Sequence, residues 1–124
     1  MTVRRLSVLQ WFGILGGGAV WWTTFLAGTM TSQAACNPAS REWGIPRATI
    51  EIVLTVVAAA VVCVAQAAAV AVFRATRTVD EEDPPPDGRL HFSSIAAMLG
   101  NTVFLGAILL TGIATIVDQA CHQA

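Results

Sequence analysis

Three long apolar runs, separated by two polar stretches, organise the chain. The first covers about residues 8–30, the second about 48–73 and the third about 92–117. The interiors of the first and third carry no charge, and Glu51, near one end of the second, is its only one. Each run exceeds the roughly 18–20 residues that cross a hydrocarbon core as a helix. In lipid, backbone groups must be satisfied within the segment, so each run is predicted to be helical. No period-two alternation is present, which excludes a transmembrane barrel. The expected fold is all-α: an integral membrane protein with three transmembrane helices, residues 1–124 forming one transmembrane domain.

Composition agrees with that pattern. Apolar residues make up 55% of the 124 and charged residues 12%, about half the share of a soluble domain. The net charge of -1 and the absence of a basic patch argue against a nucleic-acid partner. All seven basic residues are arginine. Arg4 and Arg5 precede the first run, and Arg74, Arg77 and Arg89 lie between the second and third. Only Arg41 and Arg47 fall between the first and second. The positive-inside rule then places the N-terminus and the 74–91 loop in the cytoplasm of a bacterial inner membrane, with the C-terminus on the outer face. Trp11 and Trp43 sit near run ends as interface anchors, whereas Trp21 and Trp22 are expected to face protein. The 74–91 loop contains VDEEDPPPDGR, whose four consecutive acids, three prolines and glycine predict a solvated connector that breaks the helix.

The first run ends in TSQAAC, which invites comparison with a lipoprotein signal. Gln33 occupies a position where such signals carry a leucine-like residue. The apolar run is also longer than the roughly 7–15 residues of a signal core. The segment is therefore expected to stay as a helix, with Cys36 just past its outer end. Cys121 follows the third run on the same side. That face is disulfide-permissive, and a Cys36–Cys121 disulfide is the main covalent expectation, stapling the first helix to the third. A sharper alternative would hold Cu(I) with Cys36, Cys121, His122 and Met30, since soft ligands select that ion. The stretch DQACH lacks the first cysteine of a haem-attachment motif, because Asp118 stands there. Cys63, near the middle of the second run, is expected to pack as a small apolar side chain.

Small and polar residues within the runs point to helix packing. Gly13 and Gly17 form a G-x-x-x-G pair in the first run, and the second is rich in alanine. Such faces allow close helix approach. They suit either a tight bundle or a surface against a larger membrane protein. Gln66 and Asn101 lie about seven and nine residues from the cytoplasmic ends of their runs. At about 1.5 Å per residue they share a depth, so each is expected to bond the other or a neighbouring backbone. Glu51 sits in the first turn of the second helix, where the dipole favours a carboxylate. Arg47, four residues earlier, can pair with it. A proton-carrying role is the functional alternative, because intramembrane acids are functional suspects.

No enzyme chemistry is legible. There is no serine–histidine pairing, no H-E-x-x-H and no phosphate-cradling loop. His91 and His122 are predicted on opposite sides, so they cannot share a haem. No cofactor and no catalytic residue are expected.

The stretch WFGILGGGAVWWTTFLAGTMTSQAAC resembles the opening of small three-helix membrane proteins often encoded beside haem–copper cytochrome oxidases. MLGNTVFLGAILLTGIATIVDQAC is similar to their last helix, which also ends in a cysteine. The matching residues are Gly16, Gly17, Trp21, Cys36 and Cys121, and the likeness covers about half the chain. It departs at Gly18-Ala19, where a proline would be expected. The resemblance implies association with a respiratory complex and no activity. The expected function is thus an accessory subunit of a larger energy-converting membrane complex, an oxidase above all, supplying packing surface and not redox centres. An assembly factor or copper handler, and a self-associating channel or transporter, are the alternatives.

Overall fold

A computed structural model describes residues 2–36 and 46–117. Among these residues the chain forms three α-helices and no strand: α1 (Val3–Cys36), α2 (Arg47–Ala75) and α3 (Asp87–Val117). Each helix packs against the other two. The chain runs up, down and up, so the start of α1, the end of α2 and the start of α3 share one end of the bundle.

Every helix exceeds its apolar run. α1 continues six residues past Met30 to Cys36, because Thr31, Ser32 and Gln33 are neutral and compatible with a helix. Thr29 and Thr31 return their hydroxyls to the carbonyls of Phe25 and Ala27, at 2.8 and 2.7 Å. α3 begins inside the segment expected to be loop. The Pro86 carbonyl accepts the amide of Leu90 at 3.1 Å, so proline acts as the helix cap, where no internal amide is required of it. Asp87 then stands in the first turn, on the favourable side of the dipole. At the other side of the connector the Thr76 amide and hydroxyl both donate to Val72 and Phe73 carbonyls, closing α2. The connector of 74–91 thus contracts to residues 76–86, including a cis Pro85–Pro86 bond. It folds back on α3: a Cβ on the buried Gly88 would collide with the carbonyl oxygens of Asp83 and Glu81.

The distribution of side-chain size is inverted relative to a water-soluble bundle. The largest fully buried side chains are only Val62, Val72, Asn101 and Ser94. The centre is Ala58, Val62 and Ile108, flanked by Val20, Trp21 and Leu105. Large aliphatics lie outside, with Leu15, Leu99, Val103, Leu110 and Ile116 all more than half exposed. Water would penalise that arrangement by about 25 cal/mol per Å² of apolar area. Lipid imposes no such penalty and leaves close packing of small residues to hold helices together.

α2 and α3 are each long and apolar enough to cross a membrane. α1 has no Asp, Glu, Lys or Arg after Arg5, but its glycines, threonines and tryptophans leave it less apolar than the other two. Three membrane spans are therefore not established by the helices themselves.

Candidate functional site

The two ends of the bundle are built differently. In the half nearest the N-terminus, helices touch through glycine and amide contacts. Gly13 and Gly16 lie against α2, with a notional Cβ 3.4 Å from the Ala69 Cα and 3.1 Å from the Ala65 Cβ. Gly17 faces α3 instead, where a Cβ would overlap the Asn101 Oδ1 and stand 3.2 Å from a Phe104 ring carbon. The Asn101 amide donates to the Gly13 carbonyl at 2.9 Å and is only 2% exposed. Gly13, Gly17 and Asn101 therefore form one joint between α1 and α3.

Gln66 does not take part in that joint. It makes no bond to Asn101, and its Oε1 is buried with no partner. Side-chain direction decides the outcome: Asn101 reaches the α1 backbone, while the Gln66 Oε1 meets no donor. A second polar link was not anticipated from the sequence. Gln10, itself buried, donates to the Ser93 hydroxyl. Gln10 lies near the start of the first run, and its depth beside Ser93 was the available signal. At the same end His91 stacks on Phe73 with centroids 5.3 Å apart and places Nδ1 3.2 Å from the Thr76 hydroxyl. It is thus a packed residue.

The other half of the bundle opens. Between α1, α2 and α3 lies a cavity of about 300 Å³ whose walls include Trp21, Phe25, Leu54 and Ile108. Its far wall is closed by tight contact between α2 and α3, where a Cβ on Gly112 would meet the Thr55 side chain at 2.5 Å. Gly28, by contrast, lines the cavity with nothing within 4 Å of a notional Cβ. Trp21 stacks with Phe25 at 5.9 Å and contacts Phe104 at 5.8 Å. Trp21 therefore faces protein as expected, whereas Trp22 is more than half exposed.

Glu51 lines this cavity and is only 5% exposed. The Arg47 Nε donates to Oε1 at 2.8 Å, and the Ser32 hydroxyl makes a long 3.4 Å bond to the same oxygen. Oε2 is buried and has no partner. The Arg47 pairing follows from the sequence, but the first-turn position does not hold: α2 already begins at Arg47, which puts Glu51 in its second turn. Nor does the burial follow from the sequence, because it depends on α1 running past Met30 and laying Ser32 over the carboxylate.

Several hydroxyls share the walls. Thr29, Thr55, Thr111 and Thr115 each donate to a carbonyl of their own helix at 2.8–2.9 Å. Their protons are committed, so toward the cavity they can act only as acceptors.

The cysteines divide. Cys63 is free and turned outward, not packed within the bundle as expected, because the inner face of α2 is taken by Ala58, Val62, Ala65 and Ala69. Cys36 closes α1. Cys121 and His122, needed for both the disulfide and the copper reading, lie outside the described residues, as do Trp43 and Arg41. Among the described residues no three His, Cys, Asp or Glu side chains gather as a metal site.

No family model, no curated protein and no solved structure matches the chain.

Proposed function

We propose that the protein is an integral membrane protein of three transmembrane helices that serves as a small accessory subunit of a larger energy-converting complex. The observation that carries this reading is the outer surface. Large aliphatics cover it, and on α2 they are interrupted by a stripe of small residues: Ala60, Cys63, Ala67 and Ala71, the first three exposed. Spacings of three and four residues put these side chains on one face. A neighbouring helix can approach closely there, since small residues are what membrane helix interfaces select. The small residues used inside this bundle, Gly13, Gly16, Ala65 and Ala69, lie on other faces, so the outer stripe is free for a second protein.

The resemblance to proteins encoded beside haem–copper oxidases supports a respiratory partner. Orientation has its own support. Arg4, Arg5, Arg74, Arg77 and Arg89 are exposed at a single end of the bundle, which favours that end in the cytoplasm of a bacterial inner membrane. α1 completes the third span, its 34 residues reaching about 50 Å as a helix.

Purification of the tagged chain in mild detergent tests the proposal. Each co-purifying chain is identified by mass, and a reduced-minus-oxidised visible spectrum is recorded. Haem bands with oxidase-sized chains in fixed ratio are the expected result. A colourless protein, alone or self-associated, overturns it.

A further inference from the structure

The cavity around Glu51 has chemistry that a packing role does not use. Its walls present mainly acceptors. The carboxylate Oε2 has no partner, and four of the five wall threonines, Thr29, Thr55, Thr111 and Thr115, have spent their protons on their own helices, with Thr24 the exception. A ligand that matched these walls would have to donate. It would also have to be neutral. Arg47 already balances the charge of Glu51 at 2.8 Å, and a second cation there would leave net charge buried in a medium where unpaired charge is costly. An anion would face the carboxylate directly. The remaining wall is Trp21, Phe25, Leu54 and Ile108, which suits an apolar body. The volume of about 300 Å³ sits at the lower end of small-molecule sites.

We infer that the cavity is a binding site for a neutral amphiphile whose hydroxyl group donates to the Glu51 carboxylate while its apolar body lies between Trp21 and Ile108. The site does not depend on the accessory-subunit reading. It requires only the bundle as folded.

The test uses the full chain in nanodiscs, with empty nanodiscs as the blank for partitioning. Tritiated 4-hexylphenol is the probe, and 4-hexylanisole, its methyl ether, is the matched competitor lacking the donor. One saturable phenol site per chain is expected, with the ether at least tenfold weaker. Gly28→Leu starts from a Cβ in open space on the cavity wall, and should abolish saturable binding with the helical circular dichroism unchanged. Glu51→Gln should reduce the preference for phenol over ether to threefold or less, because an amide nitrogen can donate to either oxygen. Should the glutamine variant fail to fold, the Gly28 variant decides. Competition by 1-dodecanol separates the two sources of such a hydroxyl: displacement at phenol-like concentrations supports a lipid alcohol, and failure to displace supports an aromatic one. Absence of a saturable site, equal binding of phenol and ether, or full retention by Gly28→Leu overturns the inference.

Discussion

The joint between Gly17 and Asn101 makes a sharp quantitative prediction. In Gly17→Ala the new methyl overlaps the Asn101 Oδ1 and comes within 3.2 Å of Phe104. The amide cannot swing away freely, because it is 2% exposed and tied to the Gly13 carbonyl at 2.9 Å. Rotating it forfeits an interhelical bond of about 0.6–1.7 kcal/mol. Moving α1 from α3 instead is overpacking, at about 1–3 kcal/mol. Alanine recovers up to about 1 kcal/mol of helix propensity. The expected net effect is a loss of about 0.5–2 kcal/mol. Gly28→Ala is the control, with nothing within 4 Å, and should be neutral or slightly stabilising. The decisive step is a double-mutant cycle with Asn101→Ala. Once the Oδ1 is gone, the same methyl should cost less than about 1 kcal/mol, giving a coupling of about 1–2 kcal/mol between the sites. Unfolding in dodecyl maltoside micelles titrated with SDS, followed by tryptophan fluorescence and far-ultraviolet dichroism, measures each corner. A Gly17→Ala loss under about 0.5 kcal/mol, or additivity with Asn101→Ala within that margin, would refute the reasoning.

The same assay reaches the other features. Arg47→Gln should cost about 1–3 kcal/mol by leaving the Glu51 carboxylate buried and unpaired, and Arg47→Gln with Glu51→Gln should recover most of it; equal losses in the single and double variants would sink that account. Gln66→Leu should be neutral or stabilising by up to about 1 kcal/mol, since it removes a buried oxygen without a partner, and a clear destabilisation would show a partner for that oxygen. Gly112→Ala should destabilise by about 1–3 kcal/mol through its 2.5 Å approach to Thr55, with Thr55→Ala restoring stability in the double variant. The Cys36–Cys121 pairing is checked by non-reducing peptide mapping of protein alkylated before digestion; the linked peptide is expected, and alkylation of both cysteines would exclude it.

Much of the architecture was legible along the chain. Helical segments, their number and their approximate centres follow from charge-free runs, because a long apolar segment has few ways to satisfy its backbone. The ends were less legible. α1 outruns its apolar run to Cys36 and α3 starts at Asp87, since a helix needs only compatible dihedrals while hydropathy marks only where lipid would be tolerated. Proline before α3 signalled a break, but at a first-turn boundary it serves as a start.

The amino-acid sequence by itself determined that this protein is helical, rich in small residues and poor in charge, with arginines gathered by segment and Glu51 within reach of Arg47. Those properties are local: they depend on residues a few positions apart. Only the tertiary structure decided which side chain faces which helix. It gave Asn101 the Gly13 carbonyl and left the Gln66 Oε1 without a partner. It turned Cys63 outward and set Gln10 against Ser93. It also sealed Glu51 beneath Ser32 at the edge of a cavity. Rotation about a helix axis and the spacing between helices set these outcomes, and both emerge from the packing of three faces at once.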